Sequence, residues 1–159
     1  MNNEELSRQL DKINHLVRQT LEPLEITGHW AKYVCVIVSG FIENAHEELF
    51  SEYARHRSNP EVASFVARKL RGVLNPKDER FIETARSFDQ ELGLRVEVLL
   101  NDEQRPLGGS INSIMSNRHL IAHGRNSTIS MSQVKRYLGD VVVFLESLET
   151  ELGLASPPS

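Results

Sequence analysis

Residues 117–126 read Asn-Arg-His-Leu-Ile-Ala-His-Gly-Arg-Asn, a stretch that gathers cationic and titratable side chains at one point of the chain. Ile111, Ile114, Met115, Arg118 and Ala122 recur upstream and through it at i, i+3, i+4 spacing, so Arg118 falls on the apolar stripe of a predicted helix. A guanidinium cannot shed its charge there, and it needs a carboxylate, a phosphate or a watery cleft beside it. Gly124 fits the stop position after a helix and places His123 in the last turn, where unpaired carbonyls and the macrodipole favour an imidazolium. A cationic His beside a fixed Arg suits a phosphodiester. For an isolated Arg and His, local spacing alone favours a structural reading, with Arg118 as a buried ion-pair anchor and His123 as a C-terminal helix cap.

The order Asn-Arg-His-x-x-Ala-His-Gly resembles the signature of the HEPN superfamily, small helical domains that carry Arg, a polar residue, three more residues and then His. Here these positions are Arg118, His119 and His123, and the resemblance extends over residues 30–152. It implies an all-α, HEPN-like helical bundle with a long central helix, paired as a homodimer that brings two motifs into one cleft. It also implies a metal-independent endoribonuclease acting on single-stranded RNA, of the kind found among toxins and antiviral effectors, with a cognate antitoxin as a possible protein partner. Superfamily members set an acidic residue on the central helix to orient the motif Arg. Glu43, directly after Phe41-Ile42, is the candidate for that carboxylate.

The implied chemistry is attack of the ribose 2′-hydroxyl on its own 3′-phosphate, with no cofactor and no metal. Arg118 would neutralise charge growing on the phosphoryl oxygens, and His123 would act as general base or general acid. Asn117, His119, Arg125 and Asn126 would assist or bind phosphate. Rival chemistries have less support. His119 and His123 share a helix face at i, i+4, but the Glu that zinc metalloprotease motifs place after the first His is missing. Cys35 lies in an apolar run and no Gly-x-Ser-x-Gly elbow occurs, which disfavours Cys and Ser hydrolases. The alternative from a different class is a catalytically silent HEPN module that binds RNA, a nucleotide or a partner protein. Silent members typically lose the motif Arg or His, and this chain keeps both.

The elements that must position this motif are predicted to be helical throughout. Leu6, Leu10, Ile13, Val17 and Leu21 mark an amphipathic first helix ended before Pro23. A longer helix runs from about Thr27 into Arg55-His56-Arg57, nearly all apolar over residues 33–42, and is the predicted centre of the bundle. Pro60 opens a third helix with the stripe Val62, Phe65, Val66, Leu70 and Val73. A fourth carries Phe81, Ala85, Phe88 and Leu92, with Gly93 as its stop. Residues 94–100 are predicted as a short helix or irregular segment, since a lone strand would lack a partner. Residues 101–109 form a polar loop ending in Gly108-Gly109, after which Ser110 is the expected N-cap of the motif helix. Ser130 and Gln133 form a capping-box pattern that opens a last helix with the seam Val134, Leu138, Val141, Leu145, Leu148 and Leu152.

These 159 residues suit one domain, expected over residues 1–154 with the helix of residues 1–22 packed on it and residues 155–159 as a disordered tail. One cysteine excludes an internal disulfide and a Cys-rich metal site, in keeping with a reducing cytoplasm. No signal peptide or membrane span is indicated. Net charge is −4, yet residues 104–139 contain no Asp or Glu and carry +5, leaving −9 for the rest. One electropositive cleft on an acidic body fits a protein that touches phosphates locally.

Overall fold

The computed structural model describes residues 2–19 and 24–155. Among them the chain is all-helical and forms seven α-helices with no strand: α1 (Glu4–Arg18), α2 (Leu24–Arg57), α3 (Pro60–Leu70), α4 (Asp78–Phe88), α5 (Gln90–Leu100), α6 (Leu107–Ala122) and α7 (Met131–Glu151). The expected all-α class and long central helix are both present. Leu21, the last stripe position expected in the first helix, and Pro23, its expected stop, lie outside the described residues, as does the expected tail apart from Ala155.

Helix α2 is the hub and packs against α1, α3, α4, α6 and α7. Its apolar residues account for this: Ala31, Val34, Cys35, Val38, Phe41, Ile42, Ala45 and Leu49 are all essentially sealed from solvent. Leu6, Ile13 and Val17 of α1 close one side of the core, and the α7 seam predicted from spacing is buried at all six positions. The capping box forms, with Ser130 Oγ accepting from Gln133 N and Gln133 Oε1 accepting from Ser130 N.

Three expectations are corrected. The predicted fourth helix is two helices, because Asp89 is extended (φ −157°, ψ 133°) and its carboxylate caps α5 by accepting from Leu92 N at 2.9 Å. Gly93 is therefore not a stop. It lies inside α5 where the two helices meet, and a Cβ there would stand 2.7 Å from Arg86 Cβ and 2.9 Å from Arg86 Cα. The motif helix starts at Leu107, before Ser110, with Gly108 and Gly109 inside it. Gly108 is needed because a Cβ would meet the Asp78 carboxylate at 2.8 Å. In α3 the expected stripe is rotated. Ala63 and Leu70 face α2, while Val62 and Phe65 are about half exposed, at 48% and 54%.

Ser110 instead serves a clamp on α6. Its hydroxyl donates to Asp140 Oδ2 of α7 at 2.6 Å, and Arg105 donates Nε and Nη2 to Asp140 Oδ1 at 3.1 and 2.7 Å. Burial works to raise the Asp140 carboxyl, but the Ser110 hydroxyl and the Arg105 guanidinium hold it below the usual carboxylate range. The start of the motif helix is thereby pinned to the last helix by a charge-assisted network.

Candidate functional site

Two contacts fix the direction of α6 on α2. The Cys35 thiol of α2 approaches Ile114 O of α6 at 3.7 Å. Eight residues further along α2, Glu43 Oε1 accepts from Asn75 N at 2.7 Å. Three residues on from Asn75, Asp78 packs on the start of α6, its N donating to Asn112 Oδ1 at 3.1 Å and its carboxylate lying 2.8 Å from where a Gly108 Cβ would stand. The helices are thus antiparallel, with the start of α6 near Glu43 and its end near the beginning of α2.

That geometry corrects the expected pairing of Glu43 with Arg118. Glu43 lies eight residues beyond Cys35 and Arg118 four beyond Ile114, in opposite directions, so they stand about 18 Å apart along the helix axes at 1.5 Å per residue. The Glu43 carboxylate instead holds the turn between α3 and α4, where Asn75 takes a left-handed φ of 51°. Proximity of Glu43 to an apolar run was a local signal, while the antiparallel register that separates it from Arg118 is a tertiary one.

The motif residues gather at the C-terminal end of α6. Arg118 is half-buried, and His119, His123, Arg125 and Asn126 are exposed. His123 is the C-cap, its N–H donating to His119 O at 3.2 Å. Gly124 then turns left-handed at φ 63°, so that Gly124 N returns to Ile121 O and Arg125 N to Leu120 O at 3.1 and 2.8 Å. This is the glycine stop expected from the sequence, and it satisfies the last carbonyls. The rings of His119 and His123 lie 4.4 Å apart, centre to centre, at 57°.

Neither Arg118 nor Arg125 forms an ion pair with a described side chain, whereas Arg105 of the same basic stretch is neutralised by Asp140. Arg136 lies over the Tyr137 ring at 5.0 Å. Among the described residues, the end of α6 therefore presents Arg118 and Arg125 beside two imidazoles with no carboxylate paired to them. A spacing of five residues puts Arg118 and His123 about 140° apart around the helix, so one copy of the motif does not aim both side chains at a single point.

Asn117 has a different place from the free residues around it. Its Nδ2 donates to Ser113 O at 2.9 Å and its Oδ1 accepts from the buried Ser127 hydroxyl at 2.8 Å. Ile129 N donates in turn to Ser127 Oγ at 3.4 Å. Asn117 and Ser127 thus latch the loop after the motif onto α6. Ser127 and the Asp140 clamp were missed as positioning elements, because their partners are 10 and 30 residues away in sequence. Among the described residues, no group of three or more His, Cys, Asp or Glu is placed to hold a metal ion.

Seven helices among the described residues, with this motif closing the sixth, are consistent with a HEPN-type helical module. The chain belongs to the RiboL-PSP-HEPN family, whose pattern it matches over residues 2–153. Membership places it with nuclease-like or RNA-related modules. Neither a curated protein nor a solved structure matches the chain. Among the described residues no helix is long and apolar enough to cross a membrane.

Proposed function

We propose that this chain is a metal-independent endoribonuclease that cleaves single-stranded RNA in the cytoplasm, as a toxin or antiviral effector restrained by a cognate antitoxin. The observation that carries this reading is the exposed cluster of His119, His123 and Arg125 beside a half-buried Arg118 that has no ion-pair partner among the described residues, at the end of α6. An Arg kept half out of water without a carboxylate is matched by an anionic ligand, and a phosphodiester supplies one.

His123 takes the proton of a ribose 2′-hydroxyl, whose oxygen attacks the adjacent phosphorus. A second imidazolium protonates the departing 5′-oxygen, leaving a 2′,3′-cyclic phosphate and a 5′-hydroxyl. Arg118 stabilises the charge that grows on the phosphoryl oxygens. The 140° divergence of Arg118 and His123 supports a homodimer, since two facing motifs supply both an acid and a base. His119, Arg125 and Asn126 hold flanking phosphates, and Asn117 fixes the loop that carries them.

The test is cleavage of a mixed RNA set by the native protein in EDTA, beside His123→Ala and Arg118→Ala, with product ends identified. Cleavage by the native chain with cyclic phosphate ends, reduced at least a hundredfold in both variants, is the expected result. Folded protein that binds RNA equally in all three forms and cleaves none would refute catalysis and favour a silent RNA-binding module.

A further inference from the structure

We propose that His119 and His123 form a two-imidazole chelating site for late first-row divalent cations, copper and nickel above all, and that an ion there blocks His123. The site is distinct from any catalytic metal centre. The proposed blocking of cleavage rests on the nuclease reading above, whereas the binding itself does not.

The argument starts from spacing. Residues at i and i+4 stack on one helix face, and at a helix end both side chains reach solvent unobstructed. Both imidazoles are exposed here, and their ring centres are 4.4 Å apart. An imidazole nitrogen about 2.1 Å from a metal ion puts its ring centre about 3.2 Å from that ion. With one nitrogen of each ring turned onto a shared ion, centres 4.4 Å apart would subtend about 90° there, the cis angle of tetragonal coordination by nitrogen ligands. A tetrahedral ion would need the centres about 5.2 Å apart, so zinc requires the rings to open by a little under 1 Å.

The pair is also uncommitted. His15, His46 and His56 each engage another side chain, Gln19, Thr84 and Glu52 respectively, at 3.3, 2.9 and 2.8 Å. Among the described residues, the rings of His119 and His123 have no side-chain partner but each other. The C-terminal end of α6 favours a cation through its carbonyls, while Arg118 and Arg125 oppose one, so the site is a moderate-affinity chelate completed by water. An imidazole nitrogen bound to a metal neither accepts nor donates a proton, and this removes His123 from acid–base work.

The test uses the untagged full chain. Nickel chloride is titrated calorimetrically, without RNA, into the native protein and into His119→Asn, His123→Asn and, as a control, His29→Asn. The expected result is one nickel per chain, at least tenfold weaker in either motif variant and unchanged in the control. Circular dichroism confirms that each variant is folded. Equal nickel affinity in all four proteins, or no binding by the native chain, overturns the site. In parallel, nickel added to native protein and RNA is expected to suppress cleavage, and EDTA to restore it. A native chain that binds nickel through both imidazoles but never cleaves upholds the site and refutes the nuclease reading. Cleavage indifferent to nickel together with absent binding refutes the site alone.

Discussion

His46 makes the fold sensitive to acid. It sits on α2 with 1% of its surface exposed, edge-on to Phe81 at 4.9 Å and close to Phe50 at 5.2 Å. Its Nε2 meets Thr84 Oγ1 at 2.9 Å, and its Nδ1 has no partner. Burial, followed by the charge of Arg80, pushes the imidazole down from 6.5 to about 4. Because the folded value lies below the unfolded one, the stabilisation is complete above pH 6.5 and is lost as pH falls toward 4. A shift of 2.5 units corresponds to about 3 kcal/mol in full, of which about 2 kcal/mol is lost between pH 7 and pH 5. The perturbation is His46→Phe, which keeps a ring in the aromatic cluster and removes the titration. Urea unfolding followed by circular dichroism at pH 7, 6 and 5 measures both proteins. Whatever the variant loses at pH 7 through Thr84, the native chain should lose about 2 kcal/mol more than the variant on acidification. Parallel pH dependence in the two proteins would refute a buried neutral His46.

Three further outcomes follow from the same geometry. Gly93→Ala should cost about 1–3 kcal/mol through its collision with the Arg86 backbone, whereas Gly109→Ala, with nothing within 4 Å of the added carbon, should gain up to about 1 kcal/mol of helix stability. Thermal melts of the two variants check this contrast. Glu43→Ala should cost about 1.5–3 kcal/mol by releasing Asn75 N, and its effect should add to that of Arg118→Ala within about 0.5 kcal/mol. A larger coupling in the double-mutant cycle would mean that the two side chains do meet. Ser127→Ala should cost about 1 kcal/mol and speed hydrogen exchange at Ile129 N, with α7 amides unchanged.

What the sequence made legible was whatever repeats locally. The α7 seam, its capping box, the apolar length of α2 and the stop at Gly124 each depend on residues within a few turns of one another, and each is found as expected. The misplaced boundaries arise where a distant contact overrides local preference. Gly93 and Gly108 are glycines because Arg86 and Asp78 approach them, although in isolation both signal a break. Asp89 both ends α4 and caps α5, a double duty that helical periodicity cannot separate from a continuous helix.

The same distinction applies at the motif. His119, His123 and Gly124 were legible as a cluster because one helix end carries them all, and their exposure follows from that position. The partner of Arg118 was not legible, because choosing it requires knowing that α6 runs against α2. Once that direction is known, Glu43 is separated from Arg118 and given a turn to hold instead. A half-buried guanidinium with no ion-pair partner among the described residues is costly, which gives the motif a reason to meet an anion. A phosphate backbone satisfies that requirement, whereas a second copy of the motif, itself cationic, does not.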